Sequence, residues 1–105
     1  MNWTLRFHPA VADDLTATAR WITIQGGPKA ADRNLYVIDA VILGLLDVPH
    51  KGSIRNEIAP GLRAIPAGKR AVVAFVLNDD AKVIRVIAVS YGGSDWIGRS
   101  RTRLR

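Results

Sequence analysis

The sequence predicts an α+β fold in which a hairpin of two antiparallel helices packs on a small, mostly antiparallel sheet. Apolar residues recur at helical spacing in the first half of the chain, and extended, β-branched segments follow in the second half. Glycine and proline residues mark the points where the pattern changes. The expected order is therefore β-α-α-β-β-β, within a single domain over residues 1–105.

The first strand and the first helix follow from the start of the chain. Residues 3–7 alternate between apolar and polar side chains, which is typical of a half-buried strand. After Pro9, apolar residues recur at helical spacing up to Ile22. The pair Gly26 and Gly27 is expected to end this helix.

A second helix is predicted between Pro28 and Pro49. Proline suits the first turn of a helix, and a later proline commonly follows a helix end. Between the two prolines lies one apolar stripe, made of Ala31, Leu35, Ile38, Val41, Ile42, Leu45 and Leu46. Because only a short glycine turn separates the two helices, they are expected to form an antiparallel hairpin.

Three strands are predicted after a loop over residues 48–61. The extended segments are 62–66, 70–77 and 82–91, and the turn between the last two has the sequence Asn-Asp-Asp-Ala. The last two segments are apolar at nearly every position, as expected for strands that are covered on both faces. They are therefore predicted to lie in the centre of the sheet.

Positive charge is concentrated in the second half of the chain. Residues 1–47 carry four basic and five acidic side chains (net −1), whereas residues 48–105 carry eleven and four (net +7). Such a field attracts polyanions or acidic protein surfaces, although it also serves solubility alone. Arginine occupies every second position from Arg99 to Arg105, so residues 97–105 are a candidate basic tail. As a strand or an extended arm it fits contact with nucleic acid or an acidic partner, and it equally fits a frayed, solvated end.

Several kinds of chemistry have no support in the sequence. The absence of cysteine excludes disulfides and thiolate ligands. His8 and His50 lack a metal-binding spacing, and the glycines do not form a phosphate loop or a dinucleotide-binding pattern, so neither a metal nor a cofactor is expected. Without a signal-peptide core or an apolar run of about 18 residues, the chain is expected in the cytoplasm and not in a membrane.

The candidates for chemistry are therefore arginine, lysine and tyrosine side chains of the last three strands. Arg63 lies on the strand before a tight turn, Lys69 lies in the turn and Arg70 opens the next strand, so the three are predicted to form one patch. By alternation, Arg85 and Tyr91 are predicted to share a face of the last strand. Clustered guanidinium groups suit the recognition of phosphate or carboxylate, unless each pairs with a neighbouring acidic side chain.

Four segments together resemble the RelE/ParE family of toxins from bacterial toxin–antitoxin systems. They are "RFHPAVADDL" (6–15), "LLDVPHKGSIRNEIAPGLRAIP" (45–66), "KRAVVAFVLNDDAKVIRVIAVSYGG" (69–93) and "SDW" (94–96). Within them, the positions similar to family motifs include Gly61, Arg63, Ile65, Arg70, Tyr91, Gly92 and Asp95. The resemblance covers nearly the whole chain, and it implies a toxin, with a role in plasmid stabilisation, that a cognate antitoxin neutralises.

The resemblance leaves two activities open. ParE-like members poison DNA gyrase by binding, whereas RelE-like members are enzymes that cleave mRNA in the ribosome with basic residues and a late tyrosine. In the second case the catalytic residues would be Arg63, Lys69, Arg70 and Tyr91. Because an arginine of the cleaving enzymes corresponds to Ser94, and residues 96–105 contain no tyrosine, the ParE-like branch is favoured.

For a ParE-like toxin, the predicted target-binding residues are Arg63, Arg70, Arg85, Tyr91, Asp95 and Trp96. The expected partners are an antitoxin and DNA gyrase, or the ribosome and mRNA in the alternative. A homodimer and a toxin–antitoxin hetero-oligomer are both compatible with the sequence. The skewed charge also leaves a third alternative, a non-catalytic nucleic-acid-binding module.

Overall fold

The predicted fold class and order of elements are confirmed in the computed structural model, which describes residues 2–93 and 95–105. The elements are β1 (Thr4–Phe7), α1 (Val11–Gly26), α2 (Pro28–Gly44), β2 (Ser53–Ile54), β3 (Leu62–Ala67), β4 (Ala71–Asn78), β5 (Val83–Tyr91) and α3 (Trp96–Arg103). Two of them were not predicted: β2 lies within the expected loop, and α3 replaces the expected tail. In the part of the chain that is described, no helix is long and apolar enough to cross a membrane.

The five strands form one sheet in the order β1-β5-β4-β3-β2. The neighbours β2–β3, β3–β4 and β4–β5 are antiparallel, whereas β1 lies parallel to β5, with Thr4 opposite Val83 and Phe7 opposite Val86. The sheet is therefore mostly antiparallel, and β4 and β5 lie inside it as predicted.

The helical hairpin covers one face of the sheet and forms the larger core. Phe75 is fully buried there, beneath the stripe of α2 that includes Ile38 and Ile42. The buried residues of this core are Val11, Ile38, Ile42, Leu45, Ala67, Ala71, Val73, Phe75, Ile84, Val86 and Val89. The helical spacing in the sequence thus marks the side of α2 that faces the sheet.

The opposite face of the sheet is covered by α3 and by the segment before β3. Leu62, Ala74 and Ala88 are buried in this second, smaller core, with Trp96 and Leu104 of the C-terminal region packed against them. Because helices or loops cover both faces, β4 and β5 need apolar side chains on both sides.

A β-bulge in β5 changes which residues share a face. Ala74 lies opposite Ala88 and Phe75 lies opposite Val86, which leaves Ile87 as the extra residue. The bulge interrupts the alternation of side chains. Arg85 consequently lies on the α3 side of the sheet, between neighbours that point into the larger core, whereas Tyr91 packs against the larger core. The prediction that Arg85 and Tyr91 share a face is therefore wrong.

The C-terminal arginines belong to a helix, so the predicted strand or extended arm over residues 97–105 is also wrong. The carboxylate of Asp95 caps the first turn of α3, where its Oδ1 accepts a hydrogen bond of 2.9 Å from the Gly98 N–H. An aspartate at this position stabilises a helix start. In the helix, Arg99 and Arg103 lie one turn apart and point to the same side.

The side chains of α1 and α3 also close the edge of β5 beyond the end of β1. The Val89 N–H donates to Asp14 Oδ2 at 3.0 Å, and Arg103 Nη1 donates to the Ile87 carbonyl at 3.0 Å. Arg99 Nη1 reaches the Val89 carbonyl at 3.5 Å. Charged side chains thus form hydrogen bonds with backbone groups of β5 that an additional strand would otherwise pair with.

Candidate functional site

An exposed arginine lies beside two aromatic rings that contact each other where β4 begins and β5 ends. The Arg70 guanidinium carbon lies 5.3 Å from the ring centre of Trp21 and 5.4 Å from that of Tyr91. The two ring centres are 5.7 Å apart. These distances permit cation–π attraction on both rings, which fixes the position of the guanidinium group. We call Trp21, Arg70 and Tyr91 the arginine–aromatic cluster.

The cluster is positioned by the register of the sheet and by one glycine. Ala71 lies opposite Tyr91, and the Gly92 N–H donates to the Arg70 carbonyl at 2.9 Å. Gly92 has a φ of 65°, and a Cβ there would lie 3.2 Å from Arg70 Nη2. Both the backbone conformation and the space therefore favour glycine.

A cleft of about 330 Å³ extends from Arg70 along the α3 side of the sheet. Ser90, Asp95 and Trp96 are among its lining residues. Asp95 is occupied as the cap of α3, and Trp96 packs on the smaller core, with the Arg55 guanidinium 5.8 Å from its ring centre. The predicted target-binding residues Asp95 and Trp96 thus lie in the same cleft as Arg70, where they also support α3.

Arg63 does not join this site, so the predicted single patch of Arg63, Lys69 and Arg70 is wrong. Arg63 lies opposite Phe75, whereas Arg70 directly precedes Ala71 on the same neighbouring strand. Five residues along a strand separate them by about 16 Å. The Arg63 guanidinium instead donates to the Lys51 carbonyl at 3.3 Å. Lys69 occupies the exposed turn beside Arg70.

Arg85 lies apart from the cluster, next to another arginine. Its register partner is Arg6 of β1, and both side chains are exposed. The pKa of the nearby His8 is lowered from its ordinary value by burial and then by the charges of Arg103 and Arg85. Arg85 therefore lies close enough to His8 for its charge to act on that ring.

A buried ion pair, which the sequence analysis missed, joins α1 to α3. Arg103 donates to both carboxylate oxygens of Asp14, at 2.6 and 2.9 Å, and Asp14 is only 5% exposed. Burial raises the pKa of Asp14, but hydrogen bonds from Arg103 and Val89 and the charges of Arg103 and Arg99 outweigh it, so the pKa is lowered. The signal in the sequence was the four-residue spacing of Arg99 and Arg103 after a helix-capping aspartate.

The guanidinium of the arginine–aromatic cluster is suited to binding and not to proton transfer. A guanidinium group stays protonated in proteins and donates hydrogen bonds to phosphate or carboxylate oxygens. Among the residues that are described, no group of three or more histidine, cysteine or acidic side chains is placed to hold a metal ion. Ser94, which the sequence resemblance compares with an arginine of the cleaving enzymes, lies outside the described residues.

One protein-family model covers most of the chain. A family model described as "ParE toxin of type II toxin-antitoxin system, parDE" matches residues 5–96. The matched region runs from β1 to the first residue of α3. Comparison with curated proteins gives no match.

The solved structures that share the fold include three from toxin–antitoxin systems. A chain of the chromosomal ParDE system from P. aeruginosa has a TM-score of 0.72 at 21% identity, covering 85% of this chain and 95% of the other. A mutant RelE toxin from E. coli in the free state has a TM-score of 0.65 at 13% identity, covering 99% of this chain and 98% of the other. A chain of the RelBE2 toxin–antitoxin complex from Mycobacterium tuberculosis has a TM-score of 0.60 at 17% identity, covering 87% of this chain and 92% of the other.

Proposed function

This chain belongs to the family of ParE toxins of type II toxin–antitoxin systems, and on that basis we propose that it inhibits DNA gyrase by binding and is neutralised by a cognate antitoxin. Because gyrase acts on chromosomal DNA, we also propose that the toxin works in the cytoplasm. Such a toxin needs a rigid docking surface but no catalytic group of its own.

The separation of Arg63 from Arg70 is the observation that carries the proposal. An endoribonuclease would need Arg63, Lys69, Arg70 and Tyr91 around a single phosphate. The register puts Arg63 about 16 Å along the strand from Arg70, and its guanidinium contacts the Lys51 carbonyl. Proton transfer requires hydrogen-bond distances, so residues this far apart cannot all act on one phosphate. Their separation therefore supports a toxin that acts by binding and not by cleavage.

The arginine–aromatic cluster is the proposed contact with gyrase. Arginine, tryptophan and tyrosine are enriched among the residues that dominate protein–protein binding energy. Trp21 is 44% exposed, and Arg70 is exposed beside it, so the cluster is accessible from solvent. The two rings hold the guanidinium in place before binding, which lowers the entropy lost on association.

The outer surface of the hairpin is the proposed contact with the antitoxin. Tyr36 and Leu43 lie seven residues apart on α2, which puts them on one side of the helix, and they are 73% and 58% exposed. Ile24 at the end of α1 is 74% exposed. Exposed apolar residues of this size indicate a partner surface, and the partner that the family supplies is an antitoxin.

Supercoiling and translation assays distinguish the two activities of the family. We expect the purified chain to inhibit supercoiling by gyrase and to leave mRNA on translating ribosomes intact. We expect Arg70→Ala to weaken inhibition by about tenfold or more, since a central arginine often contributes at least 1.4 kcal/mol to an interface. Arg33→Ala, an exposed arginine of α2, is the matched control and should inhibit like the unchanged chain. Cleaved mRNA with unaffected gyrase would exclude the proposal.

The alternative is a RelE-like ribosome-dependent endonuclease. The contact between Arg70 and Tyr91 favours it, because those two residues belong to the predicted cleaving set and lie 5.4 Å apart. In that case Tyr91→Phe should abolish mRNA cleavage, whereas it should leave gyrase inhibition nearly unchanged if the ring alone is needed.

A further inference from the structure

We propose that the surface around Arg6 and Arg85 binds the phosphate backbone of a nucleic-acid duplex, without regard to its sequence. We call these two residues the cationic pair. The proposal goes beyond gyrase inhibition, because it assigns a direct contact between the toxin and nucleic acid on the side of the sheet that α3 covers. It does not depend on which protein the toxin inhibits.

The cationic pair is held by two neighbouring strands. Arg6 of β1 is the register partner of Arg85 of β5, and neighbouring strands lie about 4.8 Å apart. Leu5 packs against the larger core, as do the residues on either side of Arg85, so both arginines point to the opposite face. Two guanidinium groups therefore project side by side from a rigid sheet.

The two charges are not neutralised by their neighbours. Within the part of the chain that is described, the ion pairs of arginine involve Arg55, Arg99 and Arg103, and neither Arg6 nor Arg85 takes part in one. Like charges opposite each other on adjacent strands destabilise a sheet. An anion bound between them would relieve this repulsion, since guanidinium groups bind phosphate through charge-assisted hydrogen bonds.

Two further observations agree with a positive site. The charges of Arg103 and Arg85 help lower the pKa of His8, whereas only Asp14 acts to raise it. The two acidic groups of the first turn of α1 act on Arg103: Asp14 binds its guanidinium, and Asp13 acts on it through its charge. On the same side of the molecule, Arg101 and Arg105 of the C-terminal region are exposed and extend the basic surface.

The chemistry of this surface fits a duplex backbone better than a protein or a single strand. Protein interfaces centre on buried aromatic and apolar residues, whereas nucleic-acid interfaces are polar and strongly positive. The aromatic neighbour Phe7 lies on the other side of β1, in a cleft with Val11 and Leu15. Single-stranded nucleic acid is bound by aromatic side chains that stack on bases. On the face of the cationic pair, the aromatic residue Trp96 packs on the smaller core with Arg55 over its ring, so that ring is already engaged.

Binding of a fluorescent duplex DNA of random sequence to the full chain at increasing salt tests the proposal. A logarithmic plot of the binding constant against salt has a slope of about −0.9 for each phosphate contacted. The double variant Arg6→Gln with Arg85→Gln should reduce the magnitude of this slope by about 1.8 and weaken binding at low salt by about tenfold or more. Lys29→Gln with Arg33→Gln, two exposed residues of α2, removes the same charge and should change both quantities much less.

Four outcomes would overturn the proposal. They are no binding to the duplex, equal losses in the two double variants, tighter binding of single-stranded RNA than of the duplex, and capture of polyglutamate in place of DNA through the same two arginines. The last outcome would assign the surface to an acidic protein. A supercoiling assay of the same variants tests the proposed gyrase contact separately. If the Arg6→Gln and Arg85→Gln variant loses DNA binding but still inhibits supercoiling, the nucleic-acid contact and the gyrase contact are distinct.

Discussion

Asp14 is the residue on which the junction of α1 and α3 depends. Its carboxylate is buried, accepts a hydrogen bond from the backbone of β5, and binds Arg103 through both oxygens. Removing one partner of such a pair leaves the other charge buried without compensation, which typically destabilises a protein by about 3–5 kcal/mol. The junction is therefore more sensitive to single substitutions than an exposed ion pair would be.

Asp14→Asn should lower the free energy of unfolding by about 3–5 kcal/mol, because the amide keeps the shape but loses the charge that faces Arg103. Urea denaturation measures the change. The exposed neighbour Asp13 supplies the control, and Asp13→Asn should alter stability by less than about 0.5 kcal/mol. Equal effects of the two variants would show that the buried pair contributes no special stability.

Stability should also depend on acid pH through Asp14. Because its pKa in the folded state lies below the ordinary value, the unfolded chain binds the proton more readily. The stabilisation is thus complete above about pH 4, the unfolded value, and is lost as pH falls through the lower folded value. Thermal unfolding between neutral and acid pH should show this loss in the unchanged chain and a smaller one in Asp14→Asn.

Gly92 and Gly93 allow the position of Arg70 to be tested apart from backbone strain. Both have positive φ, of 65° and 88°, so alanine at either should destabilise the fold by about 1–2 kcal/mol. Only the added Cβ of Gly92→Ala would press on Arg70, because nothing lies within 4 Å of that of Gly93→Ala. Gly92→Ala should therefore weaken target binding more than Gly93→Ala, measured as the concentration that half-inhibits supercoiling.

At the scale of the elements, α2 and β5 show what the sequence could and could not predict. The apolar stripe of α2 and the alternating or β-branched strands are local patterns, and they were sufficient for the order and the layers of the fold. The predicted faces of Arg85 and Tyr91 were wrong because of the bulge at Ile87. A bulge arises from the pairing of two strands, so the periodicity of one strand cannot predict it.

The helix α3 was missed for a different reason. Its first turn depends on Asp95 as a cap, whereas its arginines depend on a carboxylate that lies far away in the sequence, at Asp14. Alternating arginines without visible partners resemble a solvated end. The candidate site was likewise predictable only in part, since Arg70 and Tyr91 were recognised but Trp21, which completes the arginine–aromatic cluster, comes from α1.

Asp95→Ala should weaken α3 as an element, because it removes the acceptor for the Gly98 N–H. Loss of a helix cap costs about 1 kcal/mol. Asp95→Asn keeps an oxygen in the same place and should restore most of the stability. Hydrogen exchange of the backbone amides of residues 99–103 reports the result, and unchanged exchange in Asp95→Ala would show that packing alone maintains the helix.

At the scale of the whole molecule, the proposed contacts lie on different sides of the sheet. The exposed apolar residues of α2 lie on the hairpin side, whereas the cationic pair lies on the α3 side. The arginine–aromatic cluster occupies the end of the sheet between the two sides. The antitoxin contact should therefore be separable from the nucleic-acid contact.

Substitutions on the two sides should accordingly act independently. Tyr36→Asp should weaken antitoxin binding by about thirtyfold, or roughly 2 kcal/mol, because it puts a charge into an apolar contact. Arg6→Gln with Arg85→Gln should leave antitoxin affinity within about a factor of two. Titration calorimetry with the antitoxin measures both, and a large loss in the second variant would place the antitoxin on the α3 side.

The pairing of Asp14 with Arg103 joins residues that lie 89 positions apart along the chain, so the ribosome makes one long before the other. A product that stops before Arg103 has a buried carboxylate without its counter-ion and carbonyl groups of β5 without their donors. Such a fragment should be a ready substrate for cellular proteases. A message that is cut before the codon of Arg103 is therefore expected to yield no lasting toxin.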